Sequence, residues 1–204
     1  MPFGDSLPAL PGFALVGLPF SGIDYGMNMP LQFPLALILM TGFLQSFLFG
    51  RGDPLAVGAE APRLTVTTHE GTSLGLDEIY EAGLTLIYFY PRADTPGCTA
   101  QACSLRDAFA ELTGRGVTVL GVSGDSVEAQ KAFRSRHNLP FTLIADTDQK
   151  LMNAFGVPHR AGFAARQAFL IDRGTVVWRD LSASTRQQAD DVLQALAERE
   201  NSEP

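Results

Sequence analysis

The sequence predicts an α/β domain built on a mixed sheet with helices on both faces, preceded by an apolar N-terminal segment. Three observations predict it. From residue 62 onward, short β-branched and apolar runs alternate with segments of helical spacing. Near the end, two strand-like runs flank a tight-turn signal and are followed by one last amphipathic helix, which makes the sheet mixed. Tyr25 to Gly50 contains no charged residue, unlike the rest of the chain.

The elements follow in order. Leu64-Thr-Val-Thr-Thr68 alternates as a strand does, His69-Glu-Gly-Thr is a turn, and Ser73 to Leu76 is short and extended. Asp77 is placed to cap a brief helix through Ala82. Leu84 to Tyr90 is apolar enough for a buried strand. Thr99 to Thr113 has Ala102, Leu105, Phe109 and Leu112 at helical spacing, with Gly114 as a stop. Val117 to Val122 is a second buried strand, and Ser126 leads a helix over Val127–His137. Phe141 to Ala145 is a strand, and Gln149 to Phe155 a helix. Gln167–Ile171 and Thr175–Trp178 flank Asp172-Arg-Gly174, a hairpin signature. Ser184 or Thr185 caps a closing helix that carries Ala189, Val192, Leu193 and Leu196 on one face.

The chain divides into an irregular Gly/Pro-rich segment (residues 1–30), an apolar segment (31–50), a short linker (51–61) and the α/β domain (62–204). Leu31 to Phe49 is long enough to cross a hydrocarbon core of roughly 30 Å as a helix. A membrane helix over 31–50 is therefore the first expectation, with a cytoplasmic domain, because Arg51 and Arg63 follow the segment and nothing basic precedes it. Two alternatives stand beside it. A cleaved secretory signal fits the apolar run, but the basic start and a small-residue cleavage site are missing. A true start at Met27, Met29 or Met40, or a tail that packs on a partner, is the other; initiation at Met29 would still leave an apolar segment, and a soluble cytoplasmic or exported domain is the alternative location.

The formal net charge is −7 over 204 residues. An acidic chain without a Lys/Arg-rich run lacks the footprint of a nucleic-acid binder. His69, His137 and His159 are scattered and read as surface or turn residues; no Cys/His spacing suits zinc, and no cofactor motif occurs. Two cysteines are too few for a secreted disulfide scaffold.

Those two cysteines lie together in Tyr90-Pro-Arg-Ala-Asp-Thr-Pro-Gly-Cys-Thr-Ala-Gln-Ala-Cys103, directly after the buried strand and at the start of a helix. A cysteine at such a junction meets the positive end of the helix dipole, which favours the thiolate, the form that attacks. The segment therefore points to nucleophilic or redox chemistry.

The motif resembles that of the peroxiredoxins of the bacterioferritin-comigratory (PrxQ) type. Pro91, Thr95 and Cys98 match the family's Pro-x-x-x-Thr-x-x-Cys signature. Thr95 to Cys103 matches its narrower form, with a second cysteine five positions on. Arg166-Gln-Ala-Phe-Leu-Ile-Asp172 resembles the family's arginine before a hairpin strand. The likeness spans about residues 58 to 200; Leu105 stands where an aromatic is common, and the N-terminal segment lies outside the usual domain.

The resemblance implies a thioredoxin-like fold and a thiol-dependent peroxidase acting on hydrogen peroxide and organic hydroperoxides. It implies that Cys98 is the peroxidatic nucleophile, Arg166 the guanidinium beside it, Thr95 a hydroxyl for a peroxide oxygen and Pro91 a shield against water. It implies that Cys103 is the resolving thiol, and that a thioredoxin-like dithiol recycles a monomeric enzyme. Cysteines five apart on an intact helix lie about 8–9 Å apart at Cα, pointing roughly 140° away from each other. A disulfide wants less than about 7 Å, so the first turns of the helix have to unwind. Blander roles stay open: Cys103 as a helix-core residue, Arg166 as a surface residue, Thr95 as a helix cap. A disulfide-exchange or partner-binding module without peroxidase activity is the other class. Such exchange enzymes normally space their cysteines C-x-x-C, whereas this chain has four residues between them.

Overall fold

The computed structural model describes residues 53–202. In chain order these form β1 (Thr65–Thr67), β2 (Ser73–Gly75), α1 (Leu76–Glu81), β3 (Leu84–Phe89), α2 (Pro96–Asp107), α3 (Phe109–Gly114), β4 (Val117–Ser123) and α4 (Val127–Arg136). There follow β5 (Thr142–Ala145), α5 (Lys150–Ala154), β6 (His159–Arg160), β7 (Phe163–Ala164), β8 (Gln167–Asp172), β9 (Thr175–Asp180) and α6 (Gln188–Ser202).

The central sheet has the order β5-β4-β3-β8-β9. β3 pairs in parallel with β4, and β4 with β5; β3 pairs antiparallel with β8, and β8 with β9. Apolar side chains alternate across β3 and build a core on each face. Leu86, Tyr88 and Tyr90 pack with Cys98, Ala102 and Leu105 of α2, Leu112 of α3, Phe133 of α4 and Val192 of α6. Ile87 and Phe89 pack with Leu76 and Tyr80 of α1, and with Leu151 and Met152 of α5. The sheet is thus mixed and has helices on both faces, as its sequence pattern predicts.

One part of the expected architecture is corrected. Among the described residues no helix is long and apolar enough to cross a membrane. The physical reason is visible in the longest helix, α6: its 15 residues include Asp190, Asp191, Glu198 and Arg199, and only one face is buried. The expected membrane helix over 31–50, like the irregular segment 1–30, lies outside the described residues. The described residues therefore form the thioredoxin-like mixed-sheet domain, with no spanning helix among them. The expected membrane anchor and membrane partner thus find no support in the described residues.

Local differences have local causes. The motif helix starts at Pro96, not Thr99, because proline is suited to a first helical position, where no N–H is needed. It breaks at Ala108 (φ −92°, ψ 4°), so the expected single helix becomes α2 and α3. The β6–β7 hairpin was not expected: its turn is Ala161-Gly162, both at positive φ (51° and 81°), and alanine rarely signals such a turn. The described part of the expected linker runs along β9, where Gly58 N donates to Val176 O (2.8 Å) and Val176 N to Ala59 O (2.9 Å), covering a sheet edge. His69 is buried rather than exposed, its Nδ1 accepting from Leu143 N at 3.3 Å.

Candidate active site

The loop after β3 is held from below. Tyr90 N donates to Val122 O at 3.0 Å. Ala93 N donates to Asp125 Oδ2 at 2.7 Å, and the same oxygen accepts from Ser123 Oγ at 2.7 Å. Tyr90 Oη donates to Gln130 Oε1, while Gln130 Nε2 donates to Ser123 Oγ (2.8 Å) and Ile144 O (2.9 Å). This buried network fixes the ends of three neighbouring strands under residues 91–95.

Thr95 then takes the N-cap position in extended conformation (φ −89°, ψ 151°). Its side chain makes no capping bond; instead its hydroxyl donates to Arg92 O at 3.1 Å. That leaves the hydroxyl oxygen's lone pairs free to accept. The first i→i−4 bond of α2 runs from Thr99 N to Thr95 O at 2.8 Å. The N–H groups of Gly97 and Cys98 precede that bond and lie at the positive end of the helix.

Arg166 arrives from the neighbouring antiparallel strand. Phe89 of β3 pairs with Gln167 of β8, so the residue before β8 meets the segment after β3. Arg166 Nη2 donates to Cys98 Sγ at 3.5 Å. Nη1 donates to Gln101 Oε1, and Gln101 Nε2 in turn to Gln188 Oε1 on α6. Both glutamines are fully buried, so the guanidinium orientation is set from the core. A Cβ added to Gly97 would lie 3.3 Å from Arg166 Nη2 and 3.4 Å from Thr185 Cγ2, so glycine lets the helix start approach the guanidinium.

Cys98 is 1% exposed, whereas Thr95, Gly97 and Arg166 around it are half-buried. Pro91 is half-buried at the end of β3. Cys103 is half-buried on the same intact helix, and both thiols are free. The hydroxyl of Tyr88 is buried with no hydrogen-bond partner. Burial, with Tyr90, Cys98 and Cys103 nearby, holds that phenol well above its ordinary range, so it stays neutral.

Two clefts flank the exposed ring of Phe163. One, of about 410 Å³, is lined by Pro91, Arg92, Asp125 and the Ala161-Gly162 turn. The other, of about 420 Å³, is lined largely by apolar side chains, among them Pro91, Pro158, Phe163 and Ala165.

Of the residues singled out in the sequence, the structure brings Cys98 and Arg166 into contact and sets Thr95 and Cys103 on the same helix. Gln101, Gln188 and Asp125 were not singled out. Gln101 had a signal: it is a polar residue beside Ala102 on the buried side of a short helix. Asp125 and Gln188 had none, since each acts across the fold.

A thiol in the first turn of a helix, faced by a guanidinium on a thioredoxin-like sheet, defines a class of cysteine-dependent redox enzymes. The chain belongs to the AhpC/TSA family, whose pattern it matches over residues 57–179. It is 42% identical over 130 residues to the putative peroxiredoxin bcp of Coxiella burnetii, covering 60% of this chain and 85% of that protein. It is 37% identical over 122 residues to the chloroplastic peroxiredoxin Q of Sedum lineare, covering 59% of this chain and 65% of that protein. A solved structure of the bacterioferritin comigratory protein of Xanthomonas campestris superposes with TM-score 0.65 at 28% identity, covering 71% of this chain and 99% of that one. Within the family the chain is thus of the bacterioferritin-comigratory/PrxQ type, and it is an enzyme, a thiol-dependent peroxidase.

Proposed function

We propose that Cys98 is the peroxidatic sulfur, acting on hydrogen peroxide and organic hydroperoxides. The observation that carries this is the 3.5 Å approach of Arg166 Nη2 to Cys98 Sγ at a helix N-terminus. The Cys98 thiolate attacks one peroxide oxygen; an S–O bond forms and the O–O bond breaks. Sulfur is oxidised to sulfenic acid, and the other oxygen leaves as hydroxide or alkoxide and takes up a proton to become water or an alcohol. The Arg166 guanidinium and the free N–H groups of the first helical turn attract the charge on the departing oxygen. The Thr95 oxygen accepts the peroxide O–H, its own proton being given to Arg92 O. Pro91, with no N–H, shields the sulfur from water.

Cys103 then attacks the sulfenic sulfur. The S–S bond forms as the S–O bond breaks, and the hydroxide released takes the Cys103 proton to leave as water. Both residues lie on one intact helix, about 8–9 Å apart at Cα, so the first turns of α2 unwind in this step. Exposing the disulfide lets a thioredoxin-like dithiol reduce it by exchange. The apolar cleft beside Phe163 supports organic hydroperoxides as substrates, as does the alkyl peroxide reduction activity ascribed to the Xanthomonas campestris protein.

Stopped-flow oxidation of the reduced protein by hydrogen peroxide tests this. The wild type should consume one peroxide per chain and lose helical circular dichroism as the disulfide forms. Cys98→Ser should be inert, and Cys103→Ser should stop at a trappable sulfenic acid. Oxidation of Cys98→Ser at the wild-type rate, or no reaction in the wild type, overturns the proposal.

A further inference from the structure

The segment that has to open, from the site loop through α2, is tied at both ends to one residue outside it. At the near end, Asp94 sits at φ 62°, a conformation that L side chains rarely adopt. Its Oδ1 lies 2.8 Å from His137 Nε2, and its Oδ2 meets the guanidinium of Arg136. At the far end, Arg106 Nη1 donates to His137 O at 2.9 Å, while Asp107 Oδ1 holds the same guanidinium at 2.8 Å through Nε and Nη2.

His137 itself does not depend on α2. It is the C-cap of α4, its N–H donates to Phe133 O at 3.2 Å, and its ring packs edge-on to that of Phe133, 5.2 Å between centroids. Phe133 is 1% exposed. The imidazole and carbonyl of one residue, anchored on a buried aromatic, therefore meet positions 94 and 106, with Arg136 beside it sharing the hold on Asp94. Cys98 and Cys103 both lie between the two ties.

We propose that His137 is a positioning residue that limits opening of α2 to the turns between Asp94 and Arg106, and so sets the rate at which Cys103 reaches Cys98. This rests on the reaction proposed above. While both ties hold, the ends of the segment stay in place, and Cys98 returns to Arg166 after reduction. Releasing either tie lowers the cost of opening. The disulfide then forms faster, and less sulfenic acid survives for a second peroxide to oxidise to sulfinic acid.

Two variants of the full chain each act on one tie: Arg106→Met removes the far one, and His137→Phe removes the imidazole from the near one, leaving the Arg136–Asp94 ion pair, while keeping an aromatic ring on Phe133. Hydrogen exchange in the reduced protein reads opening without any peroxide chemistry. Amides of residues 99–103 should exchange about 3- to 10-fold faster in each variant, with β3 and β4 unchanged. After a stoichiometric peroxide pulse, sulfenic acid should convert to disulfide faster by a similar factor. In excess peroxide the sulfinic fraction at Cys98 should fall, a shift that general loosening of the fold does not produce. Unchanged exchange at 99–103 in both variants overturns the proposal, as does an increase shared equally by β3 and β4. Faster exchange with no disulfide after peroxide overturns the reaction on which it rests, and with it this role for His137.

Discussion

Replacing Arg166 by Met removes the guanidinium while keeping an unbranched side chain in the same space. At 3.5 Å and an effective dielectric of about 20, the attraction between a unit charge on sulfur and the guanidinium is at most about 4.7 kcal/mol. The thiolate already enjoys part of this before attack, so only the share that grows as charge moves to the leaving oxygen affects the rate. A charge-assisted hydrogen bond contributes about 1.5–3 kcal/mol. At about 1.36 kcal/mol per factor of ten, the second-order rate constant with hydrogen peroxide should fall roughly 10- to 150-fold. Gln101 Oε1 also loses its partner, so stability should drop by about 1–3 kcal/mol. The assay is stopped-flow oxidation under excess peroxide, followed by the fluorescence of Trp178, the single tryptophan. Gln101→Leu is the control: it keeps the guanidinium but frees its orientation, and its loss should be smaller. A folded Arg166→Met enzyme within threefold of the wild-type rate would refute the electrostatic account.

Two further outcomes follow from the packing. A Cβ at Gly124 would sit 2.4 Å from the Gly162 carbonyl oxygen, so Gly124→Ala must push the β6–β7 turn away from β4; denaturant unfolding should show a loss of about 1–3 kcal/mol, and a neutral effect would contradict that contact. His69 is held below its ordinary pKa of 6.5, first by burial and then by Arg134, so the unfolded chain binds a proton there more tightly than the folded one. Stability should therefore fall as pH drops below about 6.5, and His69→Asn, which keeps an acceptor for Leu143 N, should flatten that fall in urea titrations between pH 7.5 and 5. His137 is shifted in the same direction and will leave a residual slope; an unchanged slope in His69→Asn would show that His69 is not its source.

Elements with strong local signals were legible in the sequence. β3 and β4 are uninterrupted apolar runs, and the β8–β9 turn carries an Arg-Gly pair whose positive φ values (46° and 92°) suit it. The core of the site was legible for the same reason: Cys98 sits at a strand-to-helix junction that is itself a local pattern. What escaped was set by distant partners. Ala161 is held at positive φ by a turn that packs on Gly124, and nothing in its neighbours says so. Gln188 matters only because α6 returns to α2, where it reaches Gln101. The apolar stretch before residue 50 is a different case: its hydrophobic length suggests a membrane crossing, but it lies outside the described residues, among which no helix has that character.

The pairing of Phe89 with Gln167 bears on when the chain becomes reactive. The sulfur and its guanidinium are 68 positions apart and meet only after β8 has docked beside β3. A chain still emerging from the ribosome can complete α2 long before Arg166 has been synthesised, and its cysteine then has no cation beside it. A slip of one residue in that pairing would turn Arg166 to the opposite side of the sheet. Under the proposed mechanism, half-made or misaligned chains are left dull towards oxidants, and the thiol gains its reactivity at the moment the domain closes.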